Sequence, residues 1–209
     1  MMDQLEALSQ PGIVPVVVLN RAKDAVPLVD ALVQGGIRCV EITLRTSAAE
    51  AAIAAVADRT DVLVGAGTVA SAEDVRRAAG AGARFLVSPG LTPEVASAAQ
   101  REGLPLLPGV ATASEVQLAR EDGFTHLKLF PAAVVGGLRL IDALTGPFPD
   151  IHYMPSGGVT EALAPAYLGH PQVFAVAGSW MVPADALKRR DWDNVVRLSS
   201  QTVARLAEH

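Results

Sequence analysis

Lys128 is one of three lysines in the chain, with Lys23 and Lys188, and it stands between Leu127 and Leu129 in the run HLKLFPA (126–132). Such a run reads as a buried strand, where a lone ammonium is out of place. Side chains alternate across a strand, so Leu127 and Leu129 share one face and Lys128 and Phe130 the other. With the leucines turned outward, Lys128 points into the interior. In CVEITLR (39–45), Val40, Ile42 and Leu44 share one face and Cys39, Glu41, Thr43 and Arg45 the other. By the same logic Glu41 points inward, toward the lysine. A free lysine amine has a pKa of ~10.4 and is almost wholly protonated at neutral pH. Burial disfavours the charged form of an amine. A neutral amine can add to a ketone, lose water and become an iminium, an electron sink that permits C–C cleavage or formation. A carboxylate such as Glu41 could move the accompanying protons. The competing reading is a structural Lys–Glu ion pair, whose net stabilisation is small because desolvation offsets the attraction.

A second signal lies further along. PSGGV (155–159) is followed by Thr160 and Glu161 at a helix start, and AGSW (177–180) ends a later apolar run. Glycines let backbone N–H groups approach a ligand, and helix N-termini favour anions. An anion site is one reading; tight turns are the other. GAGTVA (65–70) matches a dinucleotide fingerprint, but the stretch some 20 residues on offers no acid, so a nucleotide reading is set aside. His126, His152, His170 and His209 show no metal-ligand spacing. His126 is expected in a bottom core layer or at the surface, and Cys39 in core packing.

These residues need elements to hold them. Eight apolar runs read as strands: 14–19, 39–45, 62–69, 85–90, 105–112, 126–132, 151–158 and 173–180. Most start roughly 20–25 residues apart, enough for a strand and one helix. Ala-rich, charge-studded stretches between them read as helices, with Ser47, Ser71, Thr92, Ser114 and Thr160 at plausible starts and Gly35, Gly80, Gly103 and Gly123 at plausible ends. Strand–helix alternation with continuously apolar strands implies a parallel sheet covered by helices. Eight repeats point to an α/β (β/α)8 TIM barrel, with an open doubly wound sheet as the alternative. No linker or composition break divides residues 1–209, so one domain is expected. A leading helix at 2–10 and a closing helix at 192–207 would complete it.

Bulk composition narrows the functions. Of 209 residues, half are hydrophobic and 19% charged, and 22 acids against 17 bases leave a net charge of −5. Mean hydropathy is +0.32. This composition belongs to a folded chain with a sizeable core. The acidic balance and the lack of a basic cluster argue against nucleic-acid binding. Cys39 is the only cysteine, which excludes an internal disulfide. No apolar run approaches the ~18 residues of a membrane span, and no signal pattern opens the chain. A cytoplasmic setting is expected, with no membrane partner.

VEITLRT (40–46), VGAGTV (64–69), SPG (88–90), LPGVAT (107–112), KLFPA (128–132), PSGGV (155–159) and GSWMVPADAL (178–187) occur in order. Together they closely resemble the 2-keto-3-deoxy-6-phosphogluconate (KDPG) aldolases, many of which also cleave 4-hydroxy-2-oxoglutarate. The resemblance implies a class I aldolase on a (β/α)8 barrel, a homotrimer without metal or cofactor. It would split KDPG, a phosphorylated keto acid of the Entner-Doudoroff pathway, into pyruvate and glyceraldehyde 3-phosphate. It assigns Lys128 to the Schiff base and Glu41 to acid/base work. Arg45 and Thr68 fall to the pyruvate carboxylate region and Pro89 to the pyruvate pocket. Phe130 falls beside the lysine, and Gly157, Gly158 and Ser179 hold the phosphate, with the Ser156 hydroxyl where many members have Thr. Ala133 stands where many have Glu, and Ala177 where many have Gly, which leaves the gluconate versus galactonate preference open. Two other classes stay open: a phosphate-binding barrel isomerase or decarboxylase with Lys128 as a fixed charge, and a non-catalytic binding protein.

Overall fold

The computed structural model describes Leu8 and residues 12–207; the expected helix at 2–10 lies outside the described residues. Nine strand segments appear among them: β1 Ile13–Val17, β2 Cys39–Thr43, β3 Leu63–Gly67, β4 Phe85–Val87, β5 Leu106–Leu107, β6 Gly109–Val110, β7 His126–Leu129, β8 His152–Pro155 and β9 Val176–Gly178. Between and after them come α1 Ala25–Gln34, α2 Ala49–Ala54, α3 Ala72–Gly80, α4 Pro93–Arg101, α5 Ala113–Glu121, α6 Ala132–Val135, α7 Leu138–Thr145, α8 Ala164–Leu168, α9 Ala184–Arg189 and α10 Trp192–Ala207. No helix among the described residues is long and apolar enough to cross a membrane.

All strand pairings are parallel, and they form two sheets, ordered β5-β4-β3-β2-β1-β9 and β6-β7-β8. The first strand thus lies beside the last, Ile13 in register with Val176. A doubly wound sheet reverses its strand order in the middle. This order runs without reversal from β5 to β1, where the last strand, β9, follows. The fifth apolar run does not form the single strand expected. It breaks at Pro108 into β5, which pairs with β4, and β6, which pairs with β7. Proline has no N–H to give to a ladder, although the Pro108 carbonyl still accepts from the Lys128 amide at 2.9 Å. The eighth run is shorter than expected too. Val173 makes only an isolated parallel bridge to Tyr153, and the strand proper begins at Val176.

Two of the expected helix starts are capped by their side chains, and three are corrected. Ser71 and Thr92 accept from the amides of Asp74 and Val95. For α5 the cap is Thr112, which accepts from the Glu115 amide, rather than Ser114 two residues on. Ser47 and Thr160 do not cap: the N-cap positions of α2 and α8 are Ala48 and Leu163, without side-chain cap bonds. The outward strand faces (Val40 and Ile42, Leu127 and Leu129) are fully buried beneath the helices in one continuous core. The opposite faces are left to carry chemistry.

Candidate active site

β2 and β7 place their inward residues as the pleat requires. Lys128 Nζ lies 3.7 Å from Glu41 Oε1, with side chains 6% and 1% exposed. That separation is an ion-pair contact but too long for a hydrogen bond, and neither Glu41 oxygen has a hydrogen-bond partner. Burial pushes the Glu41 carboxyl up from its ordinary range, while the charges of Lys128 and Arg45 pull it down. The net direction is upward, with burial the larger cause.

Room for this arrangement comes from glycines. Gly65 and Gly67 share the inward face, in register with Glu41 and Thr43. A Cβ on Gly67 would strike the Glu41 carboxylate, and one on Gly65 would enter the Phe85 ring. The GAGT stretch thus supplies absent side chains rather than a phosphate loop. A G-x-G spacing within a strand, on the same face as an inward acid, is the signal that could have revealed this. Gly109, in register with Lys128, backs onto the Pro89 carbonyl, leaving no space for a Cβ.

The other expected residues sit around the C-terminal strand ends. Arg45 donates from Nε to Thr68 Oγ1 at 3.0 Å. Thr68 has φ of 59°, a left-handed conformation that a β-branched residue seldom adopts. Such local strain, worth ~1–3 kcal/mol, concentrates at functional sites. The Lys128 ammonium stands 5.1 Å from the centroid of the Phe130 ring. Pro89 is exposed at the rim after β4. Ser156, 5% exposed, and Gly157 accept from the amides of Ala132 and Ala133 at 2.8 and 3.0 Å, lacing the loop after β8 to the loop after β7. Gly157 and Gly158 have φ of 86° and 81°. A Cβ on Gly158 would strike that of Ala133, so the small residue at 133 fits this turn. Ser179 is exposed just beyond β9 and lines a separate cavity toward β1. Neither Lys128 nor Glu41 lines that cavity.

Away from the pair, His126 stacks on His152 with ring centroids 5.2 Å apart and meets Phe174 edge-on at 5.0 Å. It lies at the start of β7, in the bottom layer expected. Cys39 is buried, gives its thiol hydrogen to the Ile13 carbonyl, and is pushed up to about 12 by burial, which makes it inert. Among the described residues, no three His, Cys, Asp or Glu side chains converge in a metal-ligating group.

A buried lysine facing an inward glutamate on parallel strands, with the hydrogen-bonded Arg45–Thr68 pair at the strand ends, is an arrangement suited to a lysine-dependent aldolase of the α/β class. Comparison with known proteins narrows this further. Residues 5–198 match the family described as "Aldolase: KDPG and KHG aldolase", and the chain belongs to that family. It is 44% identical over 204 residues to the 2-dehydro-3-deoxy-phosphogluconate aldolase of Treponema pallidum, covering 97% of each chain. Among solved structures it resembles the KDPG aldolase of Legionella pneumophila with pyruvate captured at low pH as a covalent carbinolamine intermediate. The two share 40% identity over 91% of this chain and 93% of that one, with a TM-score of 0.89. The Zymomonas mobilis ZM4 enzyme with 3-phosphoglycerate is 36% identical over 98% and 97% of the two chains, with a TM-score of 0.91.

Proposed function

We propose that this chain cleaves 2-dehydro-3-deoxy-6-phosphogluconate to pyruvate and glyceraldehyde 3-phosphate through a Schiff base on Lys128, on a sheet closed into a (β/α)8 barrel. Supporting closure, the last strand pairs with the first, the Tyr153–Val173 bridge links β8 to the segment before β9, and β5 and β6 are joined by the single residue Pro108. One observation carries the chemistry: a buried amine and a buried carboxylate 3.7 Å apart, with the carboxylate lacking any hydrogen bond. The Legionella carbinolamine supports the covalent route.

The steps follow from this geometry. The neutral Lys128 amine adds to the substrate C2 ketone, giving a carbinolamine, which loses water to form an iminium. Glu41 takes the proton of the C4 hydroxyl. The C3–C4 bond breaks, its electron pair flowing toward the iminium nitrogen, and glyceraldehyde 3-phosphate departs as the aldehyde. The resulting enamine takes a proton at C3, and water hydrolyses the new iminium to release pyruvate and restore the amine. Arg45 and Thr68 hold the pyruvate carboxylate; Pro89 and Phe130 enclose its methyl side. Ser156, Gly157, Gly158 and Ser179 hold the distal phosphate. 4-Hydroxy-2-oxoglutarate, giving pyruvate and glyoxylate, fits the same carbonyl chemistry. A homotrimer is the assembly the family resemblance supports, checked by sedimentation. The function is tested by coupling pyruvate release to lactate dehydrogenase, with KDPG, its galactonate epimer and 4-hydroxy-2-oxoglutarate compared. Fastest turnover on KDPG is expected; no pyruvate from any of the three would refute the reading.

A further inference from the structure

A cavity of about 630 Å3 opens between the ends of β1 and β9. Its lining includes Val16, whose Cα is in register with Glu41 on the neighbouring strand. Its other walls carry Ser179, Arg21, Asp24 and Lys188. Asp24 is only 6% exposed and divides its two oxygens between two guanidiniums. Oδ2 accepts from Arg21 Nε at 2.7 Å, and Oδ1 lies 3.2 Å from Arg190 Nε. Arg21 comes from the loop after β1 and Arg190 from the end of α9, so the buried carboxylate ties together the two segments that frame the cavity. Among the described residues, the Nη groups of Arg21 carry no hydrogen bond and Lys188 makes no ion pair. One carboxylate thus meets two cations, Arg21 and Arg190, and the cavity is lined by Arg21 and by the unpaired Lys188, both with donors to spare.

An arginine oriented through Nε by a buried acid presents its remaining N–H groups as a fixed fork, the geometry that suits a phosphate. We propose that Arg21, aimed by Asp24, and Lys188 form a cationic outer wall of the distal-anion subsite, so that the enzyme selects a phosphate ester over an uncharged hydroxyl end through them as well as through Ser179. Arg21 and Lys188 are specificity-determining residues; Asp24 is a positioning residue that does not itself touch substrate. The inference rests on reading Ser179 and the paired glycines as the phosphate end.

The test uses the full chain with Arg21→Gln combined with Lys188→Met, Ser179→Asp, and Asp24→Asn. Three quantities are measured on each: kcat/KM for KDPG and for its unphosphorylated analogue, calorimetric binding of 3-phosphoglycerate against glycerate, and borohydride trapping of pyruvate. Loss of a charge-assisted contact predicts a fall of about tenfold or more on KDPG for the Arg21/Lys188 variant. Turnover of the unphosphorylated analogue and trapping of pyruvate stay unchanged. Asp24→Asn reproduces the selective loss in part; where that variant fails to fold, the Arg21/Lys188 variant decides alone. Equal losses on both substrates, or unaltered 3-phosphoglycerate binding, would overturn the proposal. If Ser179→Asp alone removes the preference for phosphate, the phosphate end stands and the cationic wall falls. If the unmodified enzyme prefers neither substrate and binds 3-phosphoglycerate no better than glycerate, both fall.

Discussion

Replacing Gly67 with alanine places one methyl group against Glu41, the proposed acid/base residue. A Cβ built at Gly67 would lie 2.5 Å from Glu41 Cγ and 2.6 Å from its Cδ, and would overlap the Oε1 oxygen, whereas ordinary contact starts at 3.4 Å. The carboxyl carbon must therefore retreat by roughly 0.8 Å, or β2 and β3 must part. Five register pairs join those strands, from Cys39–Leu63 to Thr43–Gly67, so the side chain gives way before the sheet does. Misplacing a catalytic group by ~1 Å costs ~100-fold in rate. Overpacking also costs ~1–3 kcal/mol, which for a chain of this size lowers Tm by roughly 2–12 °C. The assay pairs steady-state pyruvate release with borohydride trapping of pyruvate on the same preparation. Gly67→Ala is expected to keep trapping on Lys128 while turnover of KDPG falls about 100-fold. Wild-type turnover would show that Glu41 tolerates displacement and that its position is not what the glycine protects. Trapping and turnover lost together would place the damage at Lys128 or in the fold.

Further outcomes follow from the same geometry. Glu41→Gln keeps the fold and lowers kcat on the order of 100-fold. In the unmodified enzyme, turnover rises with pH through the ionisation of Glu41, displaced upward from 4.5 by burial, and the Gln variant lacks that limb in a pH–rate profile. Ser179→Asp puts a negative charge at the proposed phosphate end; kcat/KM is expected to fall steeply for KDPG and less for 4-hydroxy-2-oxoglutarate, and equal falls would make Ser179 a general support. His126 is held below its ordinary 6.5 by burial first and by His152 second. The unfolded chain therefore binds the proton more readily. The stability contribution is complete above pH 6.5 and is lost as pH falls through the folded value. His126→Gln should show a smaller fall in Tm on acidification than the unmodified protein, as measured by thermal melts across that range.

Much of the site was legible because strand pleating is local. Glu41 and Lys128 each sit among alternating apolar neighbours, so each declared its inward face without knowledge of the other strand. The long closing helix was equally plain, and α10 spans Trp192–Ala207 within the stretch expected. Features that depend on a second, distant segment were not legible. Gly65 and Gly67 looked like a nucleotide fingerprint because the groups that need their space, Phe85 and Glu41, come from other strands. The break at Pro108 was hidden inside an apolar run long enough for one strand. The Asp24 bridge to Arg190 joins residues far apart in sequence, and no pattern in either stretch announces it. The stacked histidines at 126 and 152 likewise meet only because β7 pairs with β8 in register.

The central claim is that Lys128 forms the covalent intermediate, and peptide mapping tests it directly. The protein is incubated with pyruvate, reduced with borohydride, digested and analysed by mass spectrometry, alongside a Lys128→Met variant. The account predicts a single reduced pyruvate adduct on the peptide that contains KLFPA, absent from the variant. An adduct on Lys23 or Lys188, or none on the unmodified protein, would contradict it.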